Sequence, residues 1–205
     1  MRYLRLRKAL QDFSVFSMHE ILKVDSRFHR RRLNDWQDKG YLKKVIKGHY
    51  VFSDLPLDEK TLFEIANKIH QPSYVSFEMA LSHYHLIPES TYTVTSASSR
   101  RPAQYDTEIG HFIYRKVKPE LFFGYELIPN AGKWFKIASP EKAILDYFYL
   151  NPQLESPDDF EQLRIDPTVF AERTDKEKLV SYLHKFTQKR LTQRMNSFLS
   201  FVENA

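Results

Sequence analysis

Side chains that can recognise nucleic acid are concentrated between Arg27 and Asn34. A guanidinium group can donate two parallel hydrogen bonds to guanine, an asparagine amide can pair with adenine in the major groove, and either group can hold a phosphate. The candidate DNA-binding residues of this stretch are Arg27, Arg30, Arg31 and Asn34. Their types and spacing favour binding to double-stranded DNA, and the alternative is a surface helix whose charges are only solvated.

A helix would present these four side chains in one direction. At about 100° per residue, the apolar side chains of this stretch fall in one arc and the four candidates fall outside it. The pattern predicts an amphipathic helix that is capped by Asp25 or Ser26, runs through Lys39 and ends at Gly40. The side chains on its apolar side would be Phe28, Leu33 and Trp36.

Two neighbouring elements complete a known DNA-binding pattern. Ser17, with Glu20 three residues later, is a capping-box sequence for a short preceding helix. After the second helix, the segments Leu42–Ile46 and His49–Phe52 flank a turn with glycine and predict a β-hairpin. Its basic side chains are Lys43, Lys44 and Lys47. Two helices followed by a hairpin predict a winged helix-turn-helix domain over residues 1–53.

The distribution of charge supports DNA binding by this segment. Residues 1–53 contain 13 Lys or Arg and 5 Asp or Glu, whereas the remaining residues contain 18 and 21. The whole formal net charge of +5 therefore comes from the first quarter of the chain, and part of it lies on a leading helix predicted near residues 3–11. Such an asymmetry is what neutralisation of phosphates predicts. Attachment to a membrane surface is a weaker interpretation, because the first basic residues flank only isolated apolar ones.

Composition excludes several classes of protein. The absence of cysteine rules out disulfides and thiolate zinc sites. No apolar run approaches the roughly 18 residues of a membrane span, and the first residues do not resemble a signal peptide. A length of 205 residues suits one full domain and a smaller one. We expect a cytoplasmic protein.

Residues 54–205 predict a second domain of the α+β class, joined to the first at about residues 54–58. Helices are expected at 61–70 and 77–86, then strands at 92–95, 111–114, 121–123, 125–128 and 134–138. An apolar helix follows Ser139 and Pro140, and a helical tail ends in an apolar stripe that is interpreted as a lid, a dimer helix or a partner-binding helix. The predicted architecture is a winged helix-turn-helix followed by a mixed domain with a small antiparallel sheet flanked by helices.

Three stretches together resemble the AbiE-type antitoxins of type IV toxin–antitoxin systems, which are also described as AbiE-like transcriptional regulators. They are IKGHYVF at residues 46–52, YVSFEMALSHYHLIPES at 74–90 and KIASPEKAILDYFYL at 136–150. The second stretch departs from many members of the family, since His85 is followed by Leu86 where they have glycine. The Ser-Pro-Glu-Lys part of the third also has a purely structural interpretation, as the capped first turn of a buried helix.

The resemblance implies two activities. The winged helix would bind inverted repeats in its own promoter, as a homodimer on the DNA, and repress the operon. The second domain would counteract a nucleotidyltransferase toxin without forming a stable complex with it. A winged-helix regulator without a toxin is the alternative, and a nuclease is a weaker one.

An enzymatic function has little support in the sequence. His83 and His85 are two residues apart, and on a helix they would point about 200° away from each other. The acidic residues at 158–161 suit the start of a helix, and the 5 glycines are isolated. Arg100 and Arg101 lie in a polar loop and are alternative contacts to nucleic acid or to an acidic partner. We expect no catalytic residue, no cofactor and no metal site.

Overall fold

The computed structural model describes residues 1–204, which form a mixed α+β fold with two sheets. The first part of the chain contains α1 (Tyr3–Ala9), β1 (Phe16–Ser17), α2 (Met18–Val24), α3 (Arg31–Asp38), β2 (Leu42–Ile46) and β3 (His49–Phe52). Its three strands form an antiparallel sheet in the order β1-β3-β2, with a bulge in β2 between Lys44 and Ile46. The predicted hairpin has the predicted bounds.

A six-stranded sheet organises the rest of the chain, in the order β6-β7-β5-β4-β9-β8. The strands are β4 (Ser73–Val75), β5 (Thr93–Ser98), β6 (Ala103–Thr107), β7 (Gly110–Lys116), β8 (Tyr125–Asn130) and β9 (Lys133–Ala138). The helices are α4 (Glu59–Ile69), α5 (Phe77–His83), α6 (Pro140–Leu150), α7 (Pro157–Gln162), α8 (Pro167–Arg173), α9 (Lys176–His184) and α10 (Lys189–Glu203). No helix within residues 1–204 is long and apolar enough to cross a membrane.

The prediction of a small antiparallel sheet is wrong, because the sheet is larger and mixed. Strands β5 and β7 are parallel, as are β4 and β9, whereas the other neighbours are antiparallel. Two strands were not predicted: β4 has three residues and shows no alternation, and β6 lies in a polar loop sequence. The segment at residues 121–123, predicted as a strand, is not one, and its first residue ends a 3-10 turn at Pro119–Leu121.

Helices cover both faces of this sheet. On one face, the Tyr114 hydroxyl donates to the Ala66 carbonyl of α4 at 2.7 Å, and Phe63 of α4 packs edge-on against Phe135 of β9. On the other face, α5 and α6 lie against β4 and β5, where the Tyr74 hydroxyl donates to Asp146 of α6. Helices α7, α8 and α10 pack outside α6 through aromatic rings around Phe198, and α9 also packs against α6.

Buried side chains form two clusters. The smaller one is contributed by residues 1–52 and contains Leu6, Phe16, Ile21, Phe28, Leu33, Trp36 and Phe52, among others. The larger one fills the space around the six-stranded sheet and takes in Val15, Val45 and Val51 from the first part of the chain. The hairpin β2–β3 therefore contributes one face to each cluster, because successive side chains of a strand point to opposite sides.

A polar link accompanies this packing. The Ser14 hydroxyl donates to the buried carboxylate of Glu64 on α4 and accepts from the Lys133 ammonium at 2.9 Å. Asn130 donates to the other Glu64 oxygen at 2.6 Å. The three-stranded sheet thus ends next to residue 53, where the sequence predicts a boundary. The two parts of the chain on either side of it share apolar and polar contacts.

Candidate nucleic-acid interface

Helix α2 begins as the sequence predicts. The backbone N–H of His19 donates to the Ser17 hydroxyl at 3.1 Å, and Glu20 accepts from the Ser17 backbone N–H at 2.8 Å. Burial by itself raises the pKa of Glu20, but the hydrogen bonds from Ser17 outweigh it and hold that pKa below its usual value. This capping box therefore sets the start of α2, the helix that precedes α3.

Helix α3 begins later than predicted, at Arg31 rather than after Asp25 or Ser26. The Asp25 carboxylate accepts from the backbone N–H of Arg27 at 3.1 Å and also binds the Met1 amino group at 3.3 Å. The Asp25 side chain is thus engaged in a local turn with Arg27 and does not cap α3. The helix ends at Asp38, one residue before the predicted Lys39, and the predicted position of Gly40 after the C-cap is confirmed by its φ of 70°.

The four predicted residues of this stretch are all exposed and lie around the N-terminal end of α3. Arg27 belongs to the preceding turn, Arg30 occupies the N-cap position, Arg31 is the first helical residue, and Asn34 lies almost one turn further on. The predicted apolar side is confirmed by the burial of Phe28, Leu33 and Trp36.

The exposed side of α3 is divided by charge. The neighbouring Arg32 donates to the Met1 carbonyl and so points away from the four candidates. Asp35 and Asp38 lie exposed nearer the C-terminal end. Within residues 1–204, no carboxylate forms an ion pair with Arg27, Arg30 or Arg31 and no side chain caps the first turn of α3. The positive end of the helix dipole and the arginines thus favour anions at the same place.

The three lysines of the hairpin do not form one surface. Lys43 lies opposite Val51, whose side chain is in the larger core, and it is half-buried. Lys44 lies opposite Tyr50, whose side chain is in the smaller core, and it is exposed. Because paired residues share a face, these two lysines point to opposite sides of the hairpin. Lys47 is exposed in the turn.

Helix α1 braces this region through Arg7 and Tyr3, while Arg5 and Lys8 on the same helix are exposed. The Arg7 guanidinium pairs with Asp54 at 3.1 Å and lies 4.6 Å from the centre of the Phe52 ring. Tyr3 stacks on Tyr41, with the ring centres 4.6 Å apart. Burial is the first cause that raises the pKa of Tyr3, followed by the charge of Asp54. Arg7 is therefore a packing residue rather than an open cation.

Several polar residues considered for other chemistry are engaged within the protein. His83 pairs with Glu59, and His85 follows the end of α5, so the argument from helical spacing does not apply to the two histidines. Arg100 donates to the Gln71 carbonyl at 3.0 Å. Asp159 completes a capping box at α7, which confirms the prediction of helix-start acids. Within residues 1–204 no cluster of three potential metal ligands occurs.

The Ser-Pro-Glu-Lys sequence starts α6 as its structural interpretation predicts, and its polar side chains are buried. Ser139 accepts from the Lys142 backbone N–H, and Pro140 occupies the first turn. The Ser139 hydroxyl donates to Glu141 at 2.6 Å, and that carboxylate also accepts from the Asp175 backbone N–H at 3.0 Å. The ammonium of Lys178 lies 3.0 Å from Glu141.

Lys142 and Asp146 form an ion pair with both side chains fully buried. Asp146 also accepts from the hydroxyls of Tyr74 and Ser76, at 2.8 Å each. Burial raises the pKa of Asp146 and lowers the pKa of Lys142, because the surroundings disfavour either charge. Sequence analysis did not identify this pair, although its spacing of four residues on an apolar helix was a usable signal.

Comparison with known proteins adds no assignment. No family model matches the chain, and no curated protein matches it. The resemblance to AbiE-type antitoxins therefore rests on the three sequence motifs.

Proposed function

We propose that residues 1–53 are a winged helix-turn-helix that binds double-stranded DNA, with α3 as the recognition helix. The observation that carries the proposal is the group of exposed, unpaired arginines at the N-terminal end of α3. The opposite side of this helix is packed in the core through Leu33 and Trp36. Recognition helices of this class contact base edges through their N-terminal residues.

The charge pattern of α3 favours one orientation on DNA. Arg30, Arg31 and Asn34 would enter the major groove and contact bases, while Arg27 in the turn would hold a phosphate. The exposed acids Asp35 and Asp38 lie toward the other end of the helix. An approach with the N-terminal end leading keeps these carboxylates further from the phosphates than a flat approach does.

The hairpin would serve as the wing. Lys44 and Lys47 are exposed and suit contacts to phosphates, which add affinity without reading sequence. Lys43 contributes less in this proposal, because its half-buried side chain lies on the face toward the larger core.

The resemblance to AbiE-type antitoxins extends the proposal to biology. We propose a repressor of its own promoter that binds inverted repeats as a homodimer and counteracts a nucleotidyltransferase toxin. The buried side chains Glu141, Lys142 and Asp146 favour a structural role for the family-like motif, because they are too enclosed to touch a partner. A regulator without a toxin remains the second candidate.

Fluorescence anisotropy with labelled DNA from upstream of its own gene tests the DNA proposal. The variant Arg30→Ala/Arg31→Ala/Asn34→Ala is expected to lose sequence-specific binding, since each base contact contributes about 1–3 kcal/mol. A matched control is Lys189→Ala/Arg190→Ala on α10, which removes two exposed positive charges elsewhere. The control should bind the promoter like the wild type.

Undiminished promoter binding by the triple variant would exclude α3 as the recognition helix. Co-expression with a candidate nucleotidyltransferase toxin tests the second activity separately. Rescue of growth by the wild-type protein would support the antitoxin function. Promoter binding without rescue would support only a function as a transcriptional regulator.

A further inference from the structure

A cavity of about 230 Å³ opens between the C-terminal end of α4, the start of β4 and the hairpin β8–β9. It shares no residue with the proposed DNA interface. The side chains that define its chemistry are Asn67, Lys68, Ser73, Leu127, Trp134 and Lys136.

A notch in the six-stranded sheet creates this cavity. Strand β4 is short and pairs with β9 only at Val75 and Ile137, so the earlier residues of β9 extend past it. The side chain of Asn67 fills part of the gap, because its Oδ1 atom accepts a hydrogen bond from the backbone N–H of Lys136. This bond fixes the orientation of the amide, since only the oxygen can accept.

Two buried polar atoms at the cavity have no hydrogen-bond partner within residues 1–204. They are the Nδ2 atom of Asn67 and the hydroxyl of Ser73, a residue that is 2% exposed. Buried polar groups in native proteins are nearly always paired, and a bound water or ion is one explanation for an exception. The unpaired amide can only donate, and the hydroxyl can donate as well.

The charged groups at the cavity are all positive. Lys68 and Lys136 line it, and no carboxylate of residues 1–204 does. The neighbouring hollow shares Lys68 and Trp134 with this cavity but differs in its charge, because Asp12 and Glu64 also line it. The Lys136 ammonium also lies 5.4 Å from the centre of the Tyr125 ring. The two lysines and the two neutral donors suit an anion rich in acceptor oxygens, such as a phosphate.

Apolar surface borders the positive groups. The Trp134 side chain is 59% exposed and Leu127 is 56% exposed, whereas the other large apolar side chains of the sheet are buried or half-buried. An open indole ring offers a stacking surface for a flat ring, and stacking of bases on aromatic side chains is favourable for every base. The cavity thus combines a place for an anion with a platform for a ring.

We propose that this cavity binds a nucleoside phosphate. Its phosphate group would lie between Lys68 and Lys136 and accept from Asn67 Nδ2 and the Ser73 hydroxyl. Its base would stack on Trp134. The proposal is independent of DNA binding, since a variant that has lost Arg30 and Arg31 should still bind the nucleotide.

Isothermal titration calorimetry of the full chain with ATP, GTP, CTP and UTP tests the proposal, with inorganic phosphate and glutamate as separate probes. Binding of at least one nucleotide, tighter than either probe, is expected. Fluorescence gives a second readout, because Trp134 is exposed and Trp36, the other of the 2 tryptophans, is buried. Nucleotide should quench the emission of the wild type but not that of Trp134→Leu.

Asn67→Asp is the most informative variant. It preserves the oxygen that accepts from Lys136 and replaces the unpaired donor with an anionic oxygen, so nucleotide affinity should fall at least about tenfold. Lys68→Gln should weaken binding in the same way. The matched control is Lys60→Gln, an exposed lysine at the other end of α4, which should leave the affinity unchanged. Thermal unfolding of each variant checks that the fold is kept.

Three results would overturn the proposal. They are the absence of nucleotide binding, equal affinity for inorganic phosphate or glutamate, and nucleotide affinity that Asn67→Asp leaves intact in a folded protein. None of these results bears on promoter binding, so the failure of this site and the failure of the proposed function are distinguishable.

Discussion

Replacement of Lys142 by methionine tests whether the family-like motif in α6 is structural. Methionine keeps the apolar stem and a polarisable end group against the rings of Phe123 and Phe186, whose centres lie 5.0 Å from the lysine ammonium. The substitution removes the positive charge and leaves Asp146 in a fully enclosed position. Packing is largely preserved, so a loss of stability reports on the ion pair.

The expected cost is about 3 kcal/mol. Removal of one partner from a buried ion pair costs about 3–5 kcal/mol, because the other charge stays buried without compensation. The hydroxyls of Tyr74 and Ser76 still donate to Asp146, and burial raises the pKa of this carboxyl, so it can take up a proton. Both effects favour the lower end of the range.

Urea unfolding followed by circular dichroism measures this cost. With a slope of about 2–3 kcal/mol/M, the midpoint should fall by about 1–1.5 M. The control is Lys176→Met, which breaks an exposed pair with Glu203 and should cost no more than about 1 kcal/mol. The double variant Lys142→Met/Asp146→Asn should lose less than the single variant, since it no longer buries an unpaired charge.

Equal midpoints for Lys142→Met and Lys176→Met would refute the reasoning. That result would mean that water reaches the Lys142 ammonium and that the pair is not enclosed. A variant as stable as the wild type that fails to counteract a toxin would in turn assign the motif a direct functional role.

Three further outcomes follow from the contacts described above. Lys47→Ala should reduce by about one the slope of the logarithm of the DNA-binding constant against the logarithm of salt concentration, whereas Lys43→Ala should change this slope less. Equal changes of slope in the two variants would contradict the assigned faces of the hairpin. Burial tends to raise the pKa of Glu141, but hydrogen bonds from Ser139, the Asp175 N–H and Lys178 lower it overall. Ionised Glu141 therefore stabilises the fold fully above the ordinary glutamate pKa of about 4.3, and this stabilisation is lost as the pH falls through the lowered pKa of the folded state. The difference in free energy of unfolding between the wild type and Glu141→Gln should therefore shrink in acid, which unfolding titrations at decreasing pH measure. Arg194 donates hydrogen bonds to the Phe148 and Asn151 carbonyls at the end of α6. Arg194→Leu should therefore lower the free energy of unfolding by about 1.5–3 kcal/mol. If Arg194→Lys were as stable as the wild type, the contact of one guanidinium group with both carbonyls would not be the source of the stability.

Features governed by neighbours in the sequence were predictable. The capping box at Ser17, the glycine after α3, the hairpin β2–β3 and the buried side of α3 all follow from interactions within a few residues. The start of α3 was missed, although it is also local. Asp25 has the side chain of a helix cap, but it makes a turn with Arg27 instead and bonds to the distant Met1.

The α+β class was predictable from the change in periodicity, but the sheet was not. Three residues of β4 are too few to show alternation, and yet this strand lies between β5 and β9 and connects the two halves of the sheet. Its place is determined by helices on both faces that enclose it. Strand order depends on which apolar surfaces pack together in the folded protein. The spacing of residues along the chain does not specify these contacts.

By itself, the sequence determined the amphipathic α3, the concentration of positive charge in residues 1–53 and the capped start of α6. Only the tertiary structure decided which of the basic side chains remain open, since Arg7, Arg32 and Lys43 are engaged or partly covered by distant parts of the chain. It also decided the burial of Lys142 with Asp146 and the unpaired donors near Trp134. The physical reason is that helical and strand periodicity arise from local geometry, whereas burial and hydrogen-bond pairing depend on contacts between residues far apart in sequence.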